Sequence, residues 1–108
     1  METRLFALQR LSAMLLAPLV LVHLALILYA VRGGLTAEEI LGRTQGSIGW
    51  ALFYGIFVLA AAVHAPIGVR NVLTEWTAWR GASLDGAMLL LSAILMATGL
   101  RAVWAVVV

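Results

Sequence analysis

A chain of 108 residues that is 64% hydrophobic and 11% charged carries more apolar surface than one soluble core of that size can hide. It has no cysteine, which excludes disulfides, thiol chemistry and iron–sulfur ligation by this chain. The net charge of +2 comes from seven scattered arginines, which argues against nucleic acid as a partner and against a polybasic lipid-binding patch.

Residues 1–10 are polar-edged and carry Arg4 and Arg10. A first apolar span follows over about 11–31, interrupted by Pro18 and ended by Arg32-Gly33-Gly34. It is too long for the apolar region of a cleaved signal and has no clean small-residue cleavage site after it. Thr36-Ala-Glu-Glu39 has capping-box spacing and predicts one or two helical turns closed by Gly42. The second span covers about 48–69, with Pro66 close to its end. Residues 71–82, with Trp76, Trp79 and Arg80, read as an interfacial connector. Asp85 marks the N-cap region of a third span over 86–108. Each span has the roughly 20 apolar residues that crossing a bilayer requires. The expected fold is therefore an all-α membrane protein of three transmembrane helices, forming a single domain over residues 1–108 with no internal repeat.

Aromatic residues support this topology. Tyr29, Trp50, Tyr54 and Trp104 fall near one interface, and Phe6, Trp76 and Trp79 near the other. Three spans put the termini on opposite sides. Arg4, Arg10, Arg70 and Arg80 outnumber Arg32, Arg43 and Arg101, which by the positive-inside rule turns the N-terminus to the cytoplasm. Arg101, in an otherwise apolar segment, reads as a snorkelling anchor.

The chemistry concentrates at His64-Ala-Pro-Ile-Gly68-Val-Arg70. An ionisable group in a membrane span is costly, so His64 is a functional candidate by position alone. Ala60, His64 and Gly68 share one helical face, which predicts a shallow trough for a flat ligand. Arg70, nearer the surface, is placed to meet a carboxylate. Haem b matches this description, with iron for the imidazole and propionates for the arginine. His23 lies deeper, offset by roughly 10 Å if both helices stand upright, so the two imidazoles do not sandwich one iron. Two readings stand for His23: ligand to a second haem, or a polar contact between helices.

Two segments also carry a family resemblance. His64-x-x-x-Gly68-Val69-Arg70-x-x-x-x-Glu75 resembles the second-helix signature of the succinate dehydrogenase membrane anchors of cytochrome b556 type. Gln9-Arg10-Leu11-Ser12-Ala13 is similar to the His-Arg-x-Ser-Gly element before that family's first helix. The resemblance covers roughly residues 5–77. It implies a chain in a bacterial inner membrane that forms half of a helical bundle, completed by a second anchor subunit. Flavoprotein and iron–sulfur subunits would dock on it. The implied cofactors are one haem b, or two, shared with the sister subunit, with quinone as substrate. His64 would be an axial ligand and His23 a ligand to a second haem. Arg10 and Arg70 would rim the propionate and quinone pocket, Gly68 would pack on the haem, and Glu75 would lie near the quinone. Interfacial anchoring is the alternative for either arginine alone. The family's serine four residues before the motif arginine is Phe6 here.

Two rival functions remain at this level. One is a haemless, quinone-binding anchor of a fumarate reductase. The other is a small membrane protein relaying protons through its histidines, against which stands the lack of Asp or Glu within the three spans.

Overall fold

The computed structural model describes residues 2–108 as four helices: α1 (Glu2–Gly33), α2 (Ala37–Thr44), α3 (Ile48–Trp76) and α4 (Ala82–Val107). No strand occurs among the described residues. Helices α1, α3 and α4 are each long and apolar enough to cross a membrane, which fits a multi-pass membrane protein. The molecule measures 48 × 23 × 22 Å. A hydrocarbon layer of about 30 Å is therefore overshot at the helix ends.

All three spans extend beyond the apolar runs. α1 begins at Glu2, because Thr3 to Arg10 hold polar residues but no helix breaker. α3 continues through Arg70 and Asn71 to Trp76. α4 starts at Ala82, capped by Gly81 at φ 87°, so Asp85 sits in its first turn and not at the cap. The connector between α3 and α4 shrinks to residues 77–81.

α3 is the central element and packs against both α1 and α4. On α1 the less exposed positions are Leu5, Gln9, Ser12, Leu16, Leu19, His23, Leu26 and Ala30, with Ala13 beside them. Their alternating four- and three-residue spacing is the narrow seam of a left-handed helix pair. The rest of α1 is exposed, including Leu11, Met14 and Leu21. Between α3 and α4 the approach is closer. A Cβ on Gly99 would stand 2.6 Å from a methyl of Val58.

Pro66 lies within α3 and not at its end. Lacking an N–H, it leaves the Ala62 carbonyl without its helical donor. Ser92 of α4 supplies the bond at 2.6 Å.

The turn between the first two spans is built as the capping pattern predicts. The Glu39 N–H donates to Thr36 Oγ1 at 3.2 Å, and the Thr36 N–H donates to the Glu39 carboxylate at 3.0 Å. Those bonds to the ionised form hold the Glu39 carboxyl below its ordinary pKa. α2 runs past Gly42 to Thr44 and then meets the end of α4. Thr44 Oγ1 donates to the Val106 carbonyl at 2.6 Å and Gly46 N–H to the Val107 carbonyl at 2.7 Å. The last turn of α4 is thus capped by another part of the chain.

Candidate functional site

α1 and α3 run antiparallel, so the N-terminal third of α1 lies against the C-terminal half of α3. Ser12 Oγ stands 3.3 Å from His64 Nδ1 and 3.1 Å from the Gln9 carbonyl. Ser12 is only 7% exposed. One helical turn away, a Cβ on Gly68 would lie 3.4 Å from Gln9 Nε2, so the missing side chain admits the Gln9 amide. Gln9 Oε1 is buried without a hydrogen-bond partner among the described residues.

The face expected to be an open trough is therefore crossed by α1. Ala60 is 5% exposed, His64 is bonded to Ser12 and Gly68 faces Gln9. His64 itself stays half-buried, and its Nε2 carries no hydrogen bond among the described residues.

Arg70 is about 9 Å further along α3 at the helical rise. Its Nε lies 3.0 Å from Asp85 Oδ1. The carboxylate that sequence reasoning sought in a ligand is thus matched first by one from α4. Asp85 was overlooked because it reads locally as a cap; its place at the same end of the bundle as Arg70 was the available signal. Arg10 is exposed off the seam, with its guanidinium 5.8 Å from the Phe6 ring centre. Glu75 is exposed in the last turn of α3.

His23 occupies a different setting. Its ring meets Phe57 edge-on at 5.3 Å and Tyr54 at 6.1 Å between centroids. Ser12, which marks the level of His64, is about 16 Å from His23 along α1. That offset exceeds the 10 Å expected, because depth counted from where the apolar runs begin misses the polar turns at the end of each helix. The two imidazoles do not converge.

An apolar groove of about 280 Å³ opens beside Arg70, lined by Leu5, Val63, Pro66, Asp85, Met88 and Ser92 among others. It is apolar with a few polar groups, as small-molecule sites are. Among the described residues no three His, Cys, Asp or Glu side chains gather to hold a bare metal ion. A lone imidazole is instead what a metal already held by a macrocycle asks of a protein.

Compared with known families, the chain matches the succinate dehydrogenase/fumarate reductase transmembrane subunit over residues 1–104. It belongs to that family. A transmembrane subunit of this kind works within a complex that has other subunits. No curated protein and no solved structure matches the chain significantly.

Proposed function

We propose that this transmembrane subunit is the haem b-binding anchor of a succinate dehydrogenase. It pairs with a second anchor subunit, docks the flavoprotein and iron–sulfur subunits, and helps to form the quinone site. It lies in a bacterial inner membrane with its N-terminus in the cytoplasm. The observation that carries the reading is His64: a half-buried imidazole in a membrane span, with one ring nitrogen engaged and the other uncommitted. Such a group would hold a haem iron, the chemistry of a single neutral imidazole that is only partly buried within this chain.

A haem bound there supplies a one-electron redox centre close to the quinone-reducing end of the bundle. The chain's own residues do the rest. His64 would hold the haem iron, Ser12 and Gln9 hold the imidazole's side of the seam, and Arg70, paired with Asp85, stands at the rim of the apolar groove. That groove suits a quinone headgroup, with Glu75 and Arg10 at the same membrane face. For His23 we take the packing role, since the Tyr54 and Phe57 rings meet it edge-on.

The test is a dithionite-reduced minus oxidised spectrum of the complex that copurifies with this chain, for wild type and His64→Ala. A b-type α-band that falls or vanishes in the variant, with flavin retained, is expected. No such band in wild type, with quinone activity intact, would leave a haemless anchor and overturn the reading. Fumarate reduction with no succinate oxidation would overturn the assigned direction.

A further inference from the structure

We infer that Ser12 is a positioning residue that sets the tautomer of His64, keeping the proton on Nδ1 and leaving the Nε2 lone pair as the metal-binding one. The metal half of this statement rests on the haem reading above; the tautomer does not.

The argument is a count of protons. A serine hydroxyl has one hydrogen to give and two lone pairs to receive with. Ser12 Oγ has two neighbours, the Gln9 carbonyl at 3.1 Å and His64 Nδ1 at 3.3 Å. The carbonyl can only accept, so the hydroxyl hydrogen goes to it. What faces Nδ1 is then a lone pair, and the nitrogen opposite a lone pair must carry hydrogen. A neutral imidazole has one N–H, so Nε2 is left unprotonated.

The other arrangement is worse on both sides. If the hydroxyl turned to donate to Nδ1, its bond to the Gln9 carbonyl would be lost. The imidazole hydrogen would move to Nε2, which has no acceptor among the described residues. An unpaired donor in an apolar layer is costly, since hydrocarbon offers no replacement for water. Ser12 is 7% exposed, so water has little access to its hydroxyl.

Metal-bound histidines generally donate their second ring nitrogen to a neighbouring acceptor, which fixes the ring and raises its basicity. Ser12 supplies that acceptor from the neighbouring helix. Its removal makes the imidazole a poorer electron donor, stabilising a bound ferric iron less, so the midpoint potential moves in the positive direction.

The tautomer is read directly by nitrogen NMR on the full chain, labelled with [15N]histidine and reconstituted in lipid without haem. Two histidines give two ring systems, and a His23→Phe variant assigns them. The expected His64 signal is protonated at Nδ1 in wild type and in Ser12→Thr, and gains an Nε2-protonated population in Ser12→Ala. A wild-type His64 protonated at Nε2, or a Ser12→Ala spectrum identical to wild type, overturns the inference.

In the assembled complex, Ser12→Ala is expected to retain a b-type band with a positively shifted midpoint. It should also lose haem about tenfold faster or more, with Ser12→Thr restoring both. An unshifted midpoint with unchanged haem retention overturns the metal half. A wild-type complex without any b-type band overturns the haem reading and that half with it, and the nitrogen spectrum alone then decides the tautomer.

Discussion

Ser92 on α4 repairs the backbone gap that Pro66 opens in α3: its hydroxyl donates at 2.6 Å to the Ala62 carbonyl, the acceptor that proline leaves without an amide. Ala62 is fully buried and the surrounding layer has no water to offer. Ser92→Ala should therefore cost about 1–3 kcal/mol, the penalty for an unsatisfied buried acceptor. Adding Pro66→Ala restores a helical N–H and should recover most of that loss. Thermal unfolding of the solubilised complex for both singles and the double variant checks this. Strictly additive effects would mean that the two residues are not coupled.

The Arg70–Asp85 pair is neither a surface contact nor a sealed one, with side chains 16% and 36% exposed. Its removal by Asp85→Ala should cost about 1–2 kcal/mol, between the values for exposed and buried pairs. Exchanging the two charges should recover only part, because Arg70 has further interactions besides Asp85. The same unfolding assay reports both. A neutral Asp85→Ala would show that the pair does not hold α3 to α4.

Gly99→Ala sets two effects against each other. Alanine gains about 1 kcal/mol in helix propensity over glycine. Its methyl, however, would stand 2.6 and 2.9 Å from the two methyls of Val58, a β-branched side chain with little rotamer freedom in a helix. Overpacking of that kind costs about 1–3 kcal/mol. The net change should be destabilising, and Val58→Ala in the same chain should reverse it. An unchanged or higher melting temperature for Gly99→Ala would place the helices further apart than described.

Legibility in the sequence followed what each kind of signal can carry. The three spans came from hydropathy, and the α2 cap from the spacing of Thr36 and Glu39. Helix ends were misjudged wherever polar residues without breakers, such as Thr3–Arg10 and Arg70–Trp76, merely leave the hydrocarbon while continuing the helix. His64 stands out as a candidate because an imidazole in an apolar run is conspicuous. Its partner was not. Ser12 belongs to a recognisable motif, but it is far from His64 in sequence, and their contact carries no signal until the crossing of α1 over α3 is known. Ser92 and Asp85 were hidden for the same reason: each answers a need created on another helix.

Acid should loosen the start of α2. The Glu39 carboxyl is held below its ordinary pKa of 4.5, mainly by its bond with the Thr36 backbone N–H and then by the Thr36 hydroxyl. A lowered folded value means that the stabilisation is present above about 4.5 and is lost as pH falls through the lowered value. Hydrogen exchange in the first turn of α2 should accelerate over that range, and Glu39→Gln should flatten the pH response. Gly34→Ala should mimic acid at neutral pH, since φ there is 117° and a methyl would collide with the Glu39 carboxylate. Acid-independent exchange in wild type would remove the Glu39 bond as the cause.

The seam on α1 repeats every seven residues, and a repeat can slip by its own period. Moved one heptad either way, α1 would present much the same apolar stripe to α3, but opposite His64 would stand Leu5 or Leu19 instead of Ser12. Each slipped alignment strands an imidazole against a leucine in hydrocarbon, where nothing can hydrogen-bond to it. The polar residues of the seam therefore act as an index mark on a sliding scale: leucines make α1 adhere, and the serine–histidine contact selects the one register in which it stops.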